Sequence, residues 1–257
     1  MKILILGAGK MGRFFCDVLS FDHRVGIYDF SPERLRFVYN AERFKTLDEV
    51  DDFDPDLVIN AATVKYTLQA FESVLPHIRP DAVLSDIASV KTGLPGFYAR
   101  CGHPFVSTHP MFGPTFASLS NLSRENAIII KESDEAGREF FRNLYHKLHL
   151  NIVDYTFEEH DLTIAYSLSI PFAATLAFAS VMKHQDAPGT TFKRHMEIAR
   201  GLMNEDDFLV SEILFNPNTP AQLDNILSRL TELRDIVGRR DSAAMKQFLA
   251  SARANLD

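Results

Sequence analysis

The sequence predicts an α/β protein, with an N-terminal Rossmann-type doubly wound parallel sheet followed by an all-α C-terminal domain. Three observations point there. Short apolar runs alternate with helical patterns over residues 1–155. A Gly-x-Gly-x-x-Gly turn joins the first apolar run to the first helical pattern. After Tyr155 the strand signals stop and only helical patterns follow. Repeated strand–helix alternation implies a parallel sheet covered on both faces, because parallel strands need a crossover connection.

Taken in order, strands are expected at 2–6, 24–28, 57–60, 82–86, 105–108, 127–130 and 151–153. Helices are expected at 11–20, from Ser31, at 64–78, near Lys91 and at 135–148. Ser31, Pro32 and Glu33 read as N-cap, first-turn proline and first-turn acid. The second domain, 156–257, reads as helices at 158–184, 191–203, 206–215, 220–237 and 242–254. Asp186-Ala-Pro-Gly189 and Asn216-Pro-Asn-Thr-Pro220 separate them. No Gly/Ser-rich linker stands between the two domains.

Composition narrows the function class. Of 257 residues, 46% are hydrophobic and 24% charged, which suits a folded domain with a sizeable core and not a disordered chain. The net charge of -7 argues against nonspecific binding to nucleic acid or anionic lipid. Cys16 and Cys101 form no C-x-x-C pair and read as reduced thiols. Met1-Lys2 leads directly into a strand, unlike a signal peptide, so the expected location is cytoplasmic. The stretch 164–182 carries no formal charge and is long enough to span a bilayer. It also contains Ser167, Ser169, Pro171, Thr175 and Ser180. It reads as a helix buried in a core or a subunit interface, with no membrane and with a homodimer formed through the helical domain.

The turn Gly7-Ala-Gly9-Lys10-Met11-Gly12 follows a strand and opens a helix, the context a dinucleotide site needs. Gly7 permits the tight turn, Gly9 lets a pyrophosphate approach the helix N-terminus, and Gly12 allows close packing. Asp29 ends the second strand, 17 residues beyond Gly12, where an acid accepts ribose hydroxyls. A carboxylate there repels a 2′-phosphate, so the expected cofactor is NAD. No cluster in the sequence suggests a metal.

Two segments fall at later strand ends: Ser85-Asp86-Ile-Ala-Ser89-Val-Lys91 and Ser107-Thr108-His109-Pro110-Met111-Phe112-Gly113-Pro114. Ligands of open α/β sheets bind beyond the carboxyl ends of the strands. Ser89 is a candidate donor, Lys91 a candidate cation and His109 a candidate base. Singly, each also fits a plainer role: a capping serine, a solvated lysine, a structural histidine.

With Glu159-His160-Asp161, these segments resemble the prephenate dehydrogenase family, and the resemblance spans most of the chain. It implies oxidative decarboxylation of prephenate with NAD(P) to 4-hydroxyphenylpyruvate, in dimers whose active site lies between the domains. It further implies His109 as the hydroxyl partner, Ser89 as its helper, and Lys91 and His160 as supporting residues. An arginine of the helical domain should hold a substrate carboxylate. Arg200 is the first candidate, with Arg194 and Lys193 as alternatives. One departure concerns the pocket. Many members carry a histidine twelve residues beyond the position of His160, where this chain has Phe172.

Other readings stay open. Arogenate differs from prephenate only in an alanyl for a pyruvyl side chain. A β-hydroxyacid-type dehydrogenase or imine reductase would rely on a helical-domain lysine, here Lys183 or Lys193. A non-catalytic NAD- or prephenate-binding protein would bind without producing NADH.

Overall fold

The computed structural model describes residues 1–112 and 122–255. Gly113 and Pro114 of the second strand-end segment lie outside the described residues. The chain divides into two compact units, Met1–Asp161 and Leu162–Asp257.

The first unit is built on an eight-stranded sheet of order β3-β2-β1-β4-β5-β6-β7-β8. The strands are β1 (Lys2–Leu6), β2 (Arg24–Tyr28), β3 (Glu42–Phe44), β4 (Leu57–Asn60), β5 (Val83–Asp86), β6 (Phe105–Pro110), β7 (Asn126–Ile130) and β8 (Asn151–Tyr155). All neighbours run parallel except β6 and β7. Alternate side chains of each strand point to opposite faces. Ile3, Ile5, Ile27 and Ile59 therefore enter one apolar cluster, and Leu4, Leu6, Val58 and Leu84 enter the other. Burial on both faces explains why the central strands are continuous apolar runs.

The helices of this unit are α1 (Lys10–Leu19), α2 (Asp48–Phe53), α3 (Thr67–Val74), α4 (Leu94–Cys101) and α5 (Glu135–Lys147). The expected helix at 64–78 is α3 flanked by two 3₁₀ turns, Val64–Tyr66 and Leu75–His77. Pro76 in the second turn has no N–H to continue the α ladder. The Asp134 carboxylate caps α5 by accepting from the N–H groups of Ala136 and Gly137. β3 and α2 are additions to the expected elements, and the helix expected near Lys91 begins at Leu94.

Past β8, one helical stretch runs from Phe157 to Val181 as α6 (Phe157–Ile164), a π turn (Ala165–Ser169) and α7 (Ile170–Val181). The π turn ends two residues before Pro171, whose ring and missing N–H cannot join a regular α ladder. The sequence placed the domain junction after 155. The start of α6 stays with the sheet unit, where Glu159 and His160 bond to Lys131 and His109.

The second unit adds α8 (Thr190–Met203), α9 (Asp207–Leu214), α10 (Thr219–Arg239) and α11 (Ser242–Ala254). The buried Ser169 hydroxyl donates to the Ile213 carbonyl at 3.0 Å and accepts from Thr219 at 2.9 Å. No residue of α7 is buried, although its sequence IPFAATLAFASV is strongly apolar. Val181, Ile198, Met203, Phe215, Leu227 and Val237 are also exposed within this unit.

Candidate active site

The chain order reverses at β1, which lies between β2 and β4. That switch point opens a crevice at the carboxyl ends of the strands. Gly7, leaving β1, has φ +99, and its N–H donates to the Tyr28 carbonyl at 2.8 Å. A Cβ on Gly12 would lie 1.9 Å from the Gly7 carbonyl oxygen, so only glycine lets α1 pack this closely on the turn. A Cβ on Gly9 would meet nothing within 4 Å. Gly9 is the N-cap of α1 and no side chain caps it, so the first N–H groups of the helix, around Lys10 and Met11, are suited to an anion.

Asp29 is 3% exposed. Its two carboxylate oxygens accept from the N–H groups of Ala8 at 2.7 Å and Ser31 at 2.9 Å. Each oxygen keeps a second lone pair, so the carboxylate is anchored and still able to accept from a ribose diol. Beside it, Phe30 and Tyr66 form an exposed aromatic pair with ring centroids 5.9 Å apart. They follow the ends of β2 and β4, their planes tilted by 55°, and offer exposed apolar ring faces next to Asp29. Strand-end reasoning alone did not single them out, because two aromatics 36 positions apart carry no joint signal. Turn, helix terminus and carboxylate together fit a dinucleotide.

One strand pair further along the sheet, β5 and β6 bring the chemical groups together. His109 lies near the end of β6 and is 6% exposed. Its Nδ1 is 3.1 Å from Nε2 of His160, which is fully buried. His160 is delivered by the start of α6. There Thr156 and Glu159 form a reciprocal capping box: the Thr156 hydroxyl accepts from Glu159 N–H at 3.0 Å, and the Glu159 carboxylate accepts from Thr156 N–H at 2.7 Å. Nδ1 of His160 lies 3.2 Å from the Asp161 carboxylate. Thr156-x-x-Glu159 is a helix-start signature visible in the sequence, and it predicts where His160 falls on the first turn.

Ser89 and Lys91 divide differently from expectation. Ser89, in the loop after β5, is half-buried and makes no hydrogen bond to His109 among the described residues. Lys91 is not at the surface. It is 1% exposed, with its ammonium paired to Asp86 and donating to the Thr108 carbonyl at 2.8 Å. Asp86 also accepts from Tyr98 hydroxyl at 2.8 Å and from Ala88 N–H at 3.1 Å. The Lys91 charge is therefore compensated internally and is not offered to a substrate. Asp86 and Tyr98 were missed as members of this cluster.

Burial decides the protonation states. Desolvation pushes the His109 imidazole well below the usual histidine range, and the neighbouring His160 and Lys91 push the same way. Desolvation also lowers His160, opposed by its hydrogen bond to the Asp161 carboxylate. Burial lowers Lys91, with Asp86 opposing, and raises Tyr98 well above the usual phenol range. Both histidines are thus neutral at physiological pH.

In the helical unit, Arg194 and Arg200 are exposed on α8. Arg200, Lys193 and Lys183 line a depression of about 410 Å³ together with Phe192 and Met196. Phe172 on α7 is half-buried.

Residues 20–150, just over half of the chain, match the nucleotide-binding domain of prephenate dehydrogenase. The chain belongs to the prephenate dehydrogenase family. The match includes Asp29, Ser89, Lys91 and His109, while the glycine turn precedes it and His160 follows it. A probable arogenate/prephenate dehydrogenase of Methanocaldococcus jannaschii is 22% identical over 213 residues, covering 77% of this chain and 47% of that protein. The chain thus spans about half the length of this relative. Two solved structures share the fold over the whole chain. Prephenate dehydrogenase from A. aeolicus, in complex with hydroxyphenyl propionate and NAD+, has a TM-score of 0.86 at 22% identity, covering 100% of this chain and 98% of that one. Synechocystis arogenate dehydrogenase has a TM-score of 0.80 at 16% identity, covering 100% and 99%.

The two glycines of the turn should separate in experiment. Gly12→Ala should destabilise the protein by about 1–3 kcal/mol in chemical denaturation, because its Cβ has nowhere to go. Gly9→Ala should leave stability nearly unchanged and weaken dinucleotide binding, measured by calorimetric titration. Equal stability losses in the two variants would contradict this assignment.

Proposed function

We propose that the chain is an NAD-dependent dehydrogenase that converts prephenate to 4-hydroxyphenylpyruvate and CO2. The observation that carries this reading is the buried, neutral His109 at the end of β6, beside the loop that holds Ser89. NAD, when bound, accepts the hydride. The glycine turn and Asp29 hold and orient it, and the Asp29 carboxylate disfavours a 2′-phosphate. Phe30 and Tyr66 offer the adenine a stacking surface. His109 takes the proton of the substrate hydroxyl through Nε2 as hydride leaves the same carbon. Loss of CO2 from the opposite carbon then restores aromaticity, and the proton returns from His109 to the phenolate oxygen. Ser89 orients the hydroxyl. Lys91 acts from behind, holding the ends of β5 and β6 in place.

Arg200 holds a substrate carboxylate, ahead of Arg194 and Lys193. It lines a depression with Lys183 and Lys193, whose two ammonium groups outnumber the single carboxylate of Glu197. The enzyme is a cytoplasmic homodimer built on the helical units. The helix Phe157–Val181 is long and apolar enough to cross a membrane. Its first turn, however, is tied by Glu159 and His160 into the sheet unit. A second copy of the chain is the occupant that fits its partly covered apolar face.

An NADH absorbance assay with prephenate and with arogenate, each with NAD and NADP, tests the reading. Turnover of prephenate with NAD is expected, and NADH formation from neither substrate would overturn it. His109→Asn should lower kcat by about 10²-fold or more with dinucleotide binding near normal. A depressed base pKa leaves activity full above it and lost as pH falls through it. The acid limb should therefore lie below the ordinary histidine value of about 6.5 and vanish in His109→Asn.

Arg200→Ala should raise KM for prephenate about tenfold or more, as loss of a charged hydrogen bond does, without changing NAD affinity. The same effect from Arg194→Ala alone would move the anchor to Arg194. Sedimentation at micromolar concentration without detergent should show a dimer, and a monodisperse monomer would count against the helical interface.

A further inference from the structure

We infer that Asp161, His160 and His109 form a hydrogen-bonded chain that sets the tautomer of the base, with His160 as its positioning residue. The base role of His109 rests on the function proposed above; the tautomer does not.

The direction of each bond follows from the inventory of donors and acceptors. An ionised carboxylate only accepts. The proton between Asp161 and His160 therefore sits on Nδ1 of His160, since the opposite tautomer would set a bare ring nitrogen against a carboxylate 3.2 Å away. A neutral imidazole carries one proton, so Nε2 of His160 is an acceptor. Nδ1 of His109, 3.1 Å away, must then be the donor. That leaves Nε2 of His109 unprotonated, and Nε2 makes no hydrogen bond among the described residues. It is the lone pair a general base needs. The ring planes stand at 61° to one another, which an N–H directed along the in-plane lone pair of a ring nitrogen permits.

Burial keeps the chain neutral. His160 is fully buried and both imidazoles are shifted down by desolvation, so neither takes a second proton that would reverse the logic. The other charged groups facing the pair are Lys91 and Asp86, which neutralise one another. When His109 accepts the substrate proton, its Nδ1–H already points at an acceptor backed by the Asp161 negative charge. The imidazolium is stabilised without rearrangement, as in other Asp–His pairs where the carboxylate holds one tautomer. Ser89, with no bond to His109, does not supply this orientation.

The closing experiment reads the tautomer directly. Protein labelled with ¹⁵N in its histidine rings is examined by long-range ¹H–¹⁵N correlation at mildly alkaline pH, without substrate. Nδ1 of His109 should appear protonated and Nε2 unprotonated. The reverse assignment in the unmodified protein would overturn the proposal, whatever the enzyme acts on. Asp161→Leu removes the acceptor that holds the proton on Nδ1 of His160. It should shift His109 toward the Nε2–H form and lower kcat about 10²-fold with KM little changed. His160→Gln, whose carbonyl can still accept from His109, should retain more activity than His160→Leu. An unaltered tautomer and unaltered kcat in Asp161→Leu would also overturn the chain. Absence of turnover with prephenate in an unmodified protein that shows the expected tautomer would instead point at the substrate assignment.

Discussion

The ammonium of Lys91 is held out of water between the Asp86 carboxylate, at the end of β5, and the Thr108 carbonyl on β6. Stripping one partner from such a pair costs about 3–5 kcal/mol, against a net stability of roughly 5–15 kcal/mol for a domain. The loop between Asp86 and Lys91 is therefore confined to conformations that bring the two together. Ser89 sits in that loop, and His109 directly follows Thr108. One buried pair thus sets the spacing between the two strand ends that carry the chemistry. Tyr98 hydroxyl and Ala88 N–H take further acceptor sites on the two oxygens of Asp86 and leave little freedom for it to turn toward a ligand. Apolar groups of the same volume could match the pair in stability. What the charges contribute is definition of position.

That arrangement also explains the division of the sequence signals. The sheet was legible because Ile3 to Leu6, Val25 to Ile27, Leu57 to Ile59 and Ala127 to Ile130 are apolar runs bounded by turns. β3 was not, because Glu42–Phe44 is three residues long with two of them exposed, too short for any period. The glycine turn and Asp29 were legible because their geometry is local to one β-α-β unit. Lys91 was read as a ligand because a lysine with no access to water is rare. Only the tertiary position of Asp86 and Thr108 reveals that its charge is spent internally. His109 and His160 were both named from motifs, yet their bond spans 51 positions of sequence, and nothing in either segment encodes it.

The electrostatics of the cluster suit proton transfer from an alcohol. A base in water competes with solvent for its proton and stays partly ionised near neutral pH. Burial of His109 removes that competition and holds the ring neutral. The cost is a weaker base in the ground state. His160 offsets it only once a positive charge develops on His109, because its acceptor nitrogen and the Asp161 carboxylate behind it then face an imidazolium. Stabilisation that appears with the developing charge lowers the barrier, whereas stabilisation already present in the resting state does not.

The helix that supplies His160 has a second constraint. Its first turn must present His160 and Asp161 to the sheet unit, while residues of the same helix from Ile170 onward are almost wholly apolar and none of them is fully buried. In a regular α-helix each residue advances by about 100°, so the two faces would be locked in one phase relation. The π turn at Ala165–Ser169 adds one residue to a turn and breaks that relation. Pro171 fixes where the break falls, because no regular ladder passes through it, and Ser169, bonded to Ile213 and Thr219, fastens it within the helical unit.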